Sequence, residues 1–322
     1  MCKNQAENGV SYAYFLITGT EAVMNFDQLC DFEIENELQF VEIEHGFTYI
    51  EINNAKAHAT ISTYSGQVLS YRPKTRQDDL LFVSDKAYYA DGKAIKGGIP
   101  VCWPWFGADP DDLGRPAHGF VRNRQWDVIG TESLADGSTK VVMGLNDTDE
   151  TREIWPHPFR LSIEITVGDS LKVALITHNA GNQSITISQA LHTYFNVGDI
   201  SKVKLLGLDG AEYLDKLEGF AQKTQAGPVV IDGEVDRIYK GVTGELVIDD
   251  AALGRKIRIS SSGSSTAVVW NPWLDIARSM GDLNDDDYKR MLCVETANAG
   301  PETVEIAAGD DYCMEAEYTI ES

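Results

Sequence analysis

Apolar and polar residues alternate with a period of two along most of the chain. Phe40-Val41-Glu42-Ile43-Glu44 alternates, a turn is expected at His45-Gly46, and the pattern resumes over Phe47-Thr48-Tyr49-Ile50-Glu51-Ile52. Successive side chains of a strand point to opposite faces, so this pattern predicts half-buried strands. Residues 57–64 and 67–72 form a second such pair, and 161–167 faces 171–176 across Gly168-Asp169-Ser170, a hairpin signal. The series continues over 184–190, 203–208, 245–248, 256–260, 267–270, 291–295, 302–306 and 312–320. Helical periodicity is confined to short stretches at 30–38 and 285–290. Many short strands joined by tight turns predict an all-β antiparallel sandwich, because parallel strands need long crossovers. No linker or fixed-period repeat interrupts residues 26–322, which read as one domain behind an N-terminal extension over 1–25.

Composition narrows the partners. With 50 acidic against 27 basic residues, the formal charge of the 322-residue chain is −23. Such a surface repels nucleic acid and anionic membranes, and neither is an expected partner. An anionic small molecule would need a local basic pocket. The cysteines, at 2, 30, 102, 293 and 313, are odd in number and form no CxxC pair, so neither a zinc site nor a disulfide framework is expected. Reduced thiols fit a cytoplasmic protein. The N-terminus carries only a short apolar patch over 12–17 between Glu7 and Glu21, which predicts no signal peptide, and no run reaches transmembrane length.

Three segments break the alternation, and such breaks are where functional sites are sought. KGGIPVCWPWFG, residues 96–107, has paired glycines that allow close backbone approach and two tryptophans, Trp103 and Trp105. These rings are either sugar-stacking platforms or core; large aromatics are mostly core. PAHGFVRNRQW, residues 116–126, places His118, Arg122 and Arg124 at a spacing that would put them on one face of a strand. They are candidates for phosphate or hydroxyl oxygens, or structural partners of the many acids. In the third, His192 ends one apolar strand and must be read with Glu295, which ends another. Two strand ends can converge on one cleft, and two unrelated residues, one in the core and one solvated, fit the pattern equally.

KGGIPVCWPWFG, PAHGFVRNRQW, WPHPF, ALHTYFNVGDI, EVDRIY, VVWNPW, SMGDLNDDDYK and CVETA occur in this order. In that order they resemble the glucose-6-phosphate 1-epimerases, the D-hexose-6-phosphate mutarotases of the aldose 1-epimerase superfamily, over roughly residues 35–320. The resemblance implies a large β-sandwich of the galactose mutarotase type, with His192 and Glu295 as acid and base. It implies that the substrate pocket contains Lys96, Ala117, Arg122 and Asp236, with His118 as a further contact. Lys96 stands where relatives usually have arginine, and Ala117 where some have glutamine. Lysine keeps the charge but loses the planar fork. The implied substrate is a hexose 6-phosphate, handled without metal or cofactor; a monomer is the default expectation, since the sequence carries no signal of oligomeric state. A non-catalytic carbohydrate-binding sandwich is the alternative, and a glycoside hydrolase using Glu295 with Asp236 is a more distant one.

Overall fold

The computed structural model describes residues 24–43 and 46–321. The expected turn at His45-Gly46 therefore lies partly outside the described residues, as does most of the expected extension. The packed chain is already present at Met24, which lies against the core, and Asn25 caps a short helix, Phe26–Cys30.

Two eight-stranded antiparallel sheets dominate. The first runs, in spatial order, through Val203–Leu206, Leu246–Asp250, Arg255–Ser262, Asp311–Glu321, Leu171–Asn179, Phe159–Val167, Thr139–Asn146 and Asp127–Ser133. The second runs through Ala221–Thr224, Glu212–Asp215, Val235–Lys240, Thr266–Asn271, Met291–Asn298, Gln189–Leu191 and Val101–Cys102, with Tyr194–Asn196 also paired to Met291–Asn298. Leu38–Glu42, Thr48–Asn53, Ala57–Ser62 and Gln67–Pro73 form a four-stranded meander, and Ile185–Ile187 pairs with Val304–Ile306.

Alternation explains the layering. Along Phe159–Val167 every odd residue, Phe159 through Ile163 to Val167, is buried and every even one is partly exposed. Each buried side chain of this size contributes about 1.5–3 kcal/mol. The two large sheets share one apolar cluster that extends from Leu29 to Tyr318. They touch through Phe195 against Tyr318, and the hydroxyls of Thr193 and Tyr318 lie 2.7 Å apart. No helix among the described residues is long and apolar enough to cross a membrane.

Several local expectations change. Of residues 30–38 only Cys30, which ends the Phe26–Cys30 helix, is helical; the chain then turns into an isolated bridge at Ile34 and enters the first strand at Leu38. The expected strand over 184–190 is two strands in different sheets, parted at Ser188, whose N–H donates to Pro104 O and whose hydroxyl accepts from Phe106 N. The expected helix at 285–290 is a single 3-10 turn, Asp287–Lys289. Asp149–Ile154 and Trp273–Ser279 are helices that periodicity did not reveal.

The glycine-rich turn does allow close approach, but to the protein's own backbone. Gly98, at φ 61°, crosses so near the Val68 carbonyl that a Cβ would lie 2.2 Å from its oxygen. At Gly119, φ 73°, a Cβ would lie 1.8 Å from Trp103 O. Only glycine accommodates both the left-handed backbone and that contact.

Candidate functional site

The second sheet carries the site on the face turned away from the shared core. Met291–Asn298 is buried at every position. Leu292 and Val294 belong to the shared core, whereas Cys293 and Glu295, pointing the other way, do not. The neighbouring strands obey the same parity. Val269 faces the core while Val268 and Trp270 face out; Val235 and Tyr239 face the core while Asp236 faces out. Antiparallel register then sets Asp236 opposite Trp270, Trp270 opposite Cys293, and Val268 opposite Glu295. Glu295 is therefore central in its strand, which runs on to Asn298, rather than at its end. His192 sits in the short break between Gln189–Leu191 and Tyr194–Asn196, both paired to the Glu295 strand, and its N–H donates to Pro100 O.

These residues border a hollow of about 260 Å³. His192 Nε2 lies 3.4 Å from Glu295 Oε1. The imidazole stacks on Tyr194 at 4.8 Å and meets the Trp270 and His118 rings edge-on. Glu295 is 2 % exposed and His192 8 %. His192 Nδ1 and Glu295 Oε2 are buried without a protein partner, which leaves polar capacity unspent in the interior.

Burial dominates the electrostatics, since a low-dielectric site disfavours charge. It holds the Glu295 carboxyl well above its ordinary range, and the nearby Asp236 carboxylate pushes the same way. It holds His192 well below its ordinary range, aided by His118, Arg122 and Lys96. The site thus favours a neutral imidazole beside a protonated carboxyl. His118 is pushed down to about 3, first by burial and then by Arg122, Lys216 and Lys96. Its Nδ1 accepts from Gly107 N at 3.3 Å, so the neutral ring carries its proton on Nε2.

Of the residues expected from sequence, Lys96, His118, Arg122, His192, Asp236 and Glu295 all border this hollow. Ala117 does not; it is exposed, and its carbonyl accepts a 3.0 Å bond from Arg122 Nη2. The expected strand over 118–124 is absent. His118 is a left-handed residue at φ 66° and Val121–Asn123 is a 3-10 turn, so Arg124 leaves the site and pairs with Glu150. Trp103 and Trp105 are core: Trp103 donates to Thr177 Oγ1, and Trp105 to Pro116 O. The aromatic side chains that border the hollow are Phe106, Tyr194 and Trp270 instead. Lys216 and Asp282 were not anticipated. Lys216 Nζ lies 2.5 Å from Asp236 Oδ2, and Lys96 Nζ lies 3.4 Å from Asp282 Oδ2. Strand parity along 266–271 could have pointed to Trp270, but Lys216 lies in an ordinary charged turn with no signal of its own. Among the described residues no cluster of His, Cys, Asp and Glu is arranged to hold a metal ion.

A sequence model of the aldose 1-epimerase family matches residues 48–319. The chain belongs to the aldose 1-epimerase family. It is 36% identical over 251 residues to a provisionally named glucose-6-phosphate 1-epimerase of Escherichia coli K12, covering 78% of this chain and 83% of that one. A protein of the same provisional name from Cenchrus ciliaris is 34% identical over 269 residues, 80% of each chain. The crystal structure of a provisionally named mutarotase from Salmonella typhimurium superposes with a TM-score of 0.84 at 29% identity, over 90% of this chain and 95% of that one. A galactose mutarotase-like protein from Clostridium acetobutylicum has the same fold, with a TM-score of 0.70 at 14% identity over 88% of this chain and 98% of that one. The activity of this aldose epimerase is accordingly that of an isomerase acting on a sugar, on the galactose mutarotase-like sandwich expected from sequence.

Proposed function

We propose that the protein is a hexose-6-phosphate mutarotase that interconverts α and β anomers through the open-chain aldehyde, with Glu295 and His192 exchanging the protons. The observation that carries this reading is the contact at 3.4 Å between two buried, oppositely perturbed groups on the floor of a sugar-sized hollow. Ring opening moves two protons at once: the C1 hydroxyl loses one as the ring oxygen gains one. Ionised Glu295 takes the first and imidazolium His192 gives the second. The C1–O5 bond breaks, C1 becomes a carbonyl, and the pair is left as neutral imidazole and carboxylic acid. Rotation about C1–C2 and reversal of both transfers closes the ring on the other face.

The proton count favours this assignment. The reactive ion pair and the neutral pair hold the same single proton between them, so they differ only in its position. Burial favours the neutral arrangement, the state of the pair beside the open-chain sugar. Each positioned group typically contributes about 10²–10⁴-fold. The phosphate assignment rests on cations gathered in a strongly acidic protein. Arg122 is oriented by Ala117 O, its Nε is buried without a partner, and Lys96 lines the same hollow. Phosphate held there would anchor the sugar away from C1 and make orientation cheaper. Asp236 accepts from sugar hydroxyls and His118 Nε2 donates to one.

The test is anomer exchange of glucose 6-phosphate and of free glucose, followed side by side by polarimetry or with a dehydrogenase that consumes only the β anomer. Acceleration with preference for the phosphate is expected. A rate equal to the spontaneous one on both sugars would leave only non-catalytic sugar binding; equal acceleration of both would remove the phosphate from the reading.

A further inference from the structure

We propose that Lys216 is a positioning residue for the epimerisation: bonded to Asp236 at the edge of the hollow, its ammonium holds that carboxylate as an oriented acceptor for sugar hydroxyls and offsets its charge beside Glu295. The inference rests on the assignment of Glu295 as the proton acceptor.

Lys216 comes from the sheet's far edge, where Glu212–Asp215 turns back into Ala221–Thr224. The turn is built to present it. Asp215 Oδ1 accepts from Leu217 N and caps the 3-10 turn Lys216–Glu218, and Gly219 at φ 64° ends it. Asp215 Oδ2 binds Lys223 Nζ instead, so the carboxylate nearest in sequence is already engaged and Lys216 reaches Asp236 at 2.5 Å.

The charges around Glu295 give the sign. Asp236 is the charged group that raises the Glu295 carboxyl, while Lys216 and Arg122 lower it. Lys216 also steadies Asp236 itself against the upward push of burial. On the opposite side His192 is in contact and His118 packs against it, both held neutral by burial and by Arg122 and Lys96. The Cys293 thiol on its own strand, and the Cys102 thiol and Tyr194 phenol on other strands of the sheet, are raised by burial and stay uncharged. Lys216 is therefore the cation that cancels Asp236 where Glu295 must become an anion, and it is not among the charges opposing imidazolium at His192.

The experiment compares the catalysed α/β exchange of glucose 6-phosphate by NMR between pH 5 and 9 for the wild type, Lys216→Met, Lys216→Gln and Lys216→Arg, with Glu295→Gln as a control. In Lys216→Met and Lys216→Gln, the alkaline limb should move up by about one pH unit. At neutral pH kcat should fall about tenfold, since one unit of Glu295 acidity is a tenfold change in the ionised pair. Lys216→Arg should restore both. An alkaline limb unmoved in both uncharged variants, or a loss of rate that arginine does not restore, would overturn the proposal and leave the Glu295 assignment standing. Near-normal activity in Glu295→Gln would overturn both.

Discussion

Replacing Glu295 with glutamine should make the protein inactive and, above pH 4.5, more stable. The amide keeps the shape and polarity of the side chain in a site that is 2 % exposed. It removes only the ability to ionise. In the wild type, the folded carboxyl holds its proton well above the ordinary value of 4.5, because burial and Asp236 both oppose its charge. Below pH 4.5 folded and unfolded chains both carry the proton, and the site costs nothing. Above it the unfolded chain releases the proton and the folded chain does not, so stability is lost as pH rises toward the folded value. The loss is about 1.4 kcal/mol per pH unit while that window lasts. Glutamine has no such loss. His192, pushed the other way, weakens the fold as pH falls below its ordinary value of 6.5, but it does so in both proteins and cancels from the difference. For a chain of this length each 1.4 kcal/mol is worth about 2 °C in Tm. Melting curves of both proteins from pH 4 to 8 should therefore coincide near pH 4 and separate by about 2 °C per unit above pH 4.5, the variant melting higher. A separation that stays constant, or one in which the wild type gains on the variant as pH rises, would mean that the folded carboxyl ionises as an ordinary one. The neutral-pair argument would then fail.

On the proposed mechanism the same pair governs rate. His192→Ala and Glu295→Gln should each reduce catalysed exchange by about 10²-fold or more while the protein stays folded by circular dichroism; near-normal rates in both would remove them from the mechanism. The wild-type kcat profile should be a broad bell with its acid limb below the ordinary histidine range and its alkaline limb above the ordinary carboxylate range, since burial resists both the doubly protonated and the doubly deprotonated pair; a narrow optimum between the ordinary values would contradict it. Arg122→Ala should lower kcat/KM for glucose 6-phosphate by about tenfold or more and leave free glucose nearly unchanged, a charge-assisted bond being worth about 1.5–3 kcal/mol; equal losses on both sugars would deny Arg122 a phosphate. Gly119→Ala should destabilise the fold by about 2 kcal/mol or more, because it combines a left-handed backbone with a Cβ at 1.8 Å from Trp103 O; an unchanged Tm would refute that contact.

Strands buried on one face were legible because side-chain period and environment agree: Phe159–Val167 and Leu171–Asn179 are a long pair with clean alternation. Asp127–Ser133 was not legible. It is an edge strand in which only Val128 is buried, so its sequence carries no stripe. Nor was the switch of sheets at Ser188, where one unbroken run, Ile185 to Leu191, serves two sheets in turn and the break is made by bonds to Pro104 and Phe106, more than eighty residues away. The site divides in the same way. His192 and Glu295 were legible only through the motifs around them, and Glu295 was misplaced to a strand end because Thr296-Ala297-Asn298 lacks apolar character while remaining buried. The even spacing of His118, Arg122 and Arg124 suggested a shared face that a left-handed residue and a 3-10 turn abolish. Lys216 could not be found at all, because what distinguishes it is Asp236 on the neighbouring strand Val235–Lys240 rather than anything beside it in sequence.

The buried pair also explains why this sheet is built as it is. A carboxyl at the surface would be ionised throughout the neutral range and would remain so beside an open-chain sugar, giving up its proton to water between ring opening and reclosure. Placed mid-strand with Val268 and Cys293 as neighbours, Glu295 is denied that outlet. On the proposed mechanism, the proton it takes from C1 is then kept for the return step, while His192, likewise buried, keeps its lone pair for the proton it must recover. On that mechanism the two groups would need no external proton donor or acceptor in a turnover, and the proton passed between sugar oxygens would be conserved within the hollow. The cost appears as the pH-dependent loss of stability at Glu295, and the cations Lys96, Arg122 and Lys216, set among Asp236 and Asp282, make the hollow attractive to an anion in a protein of charge −23.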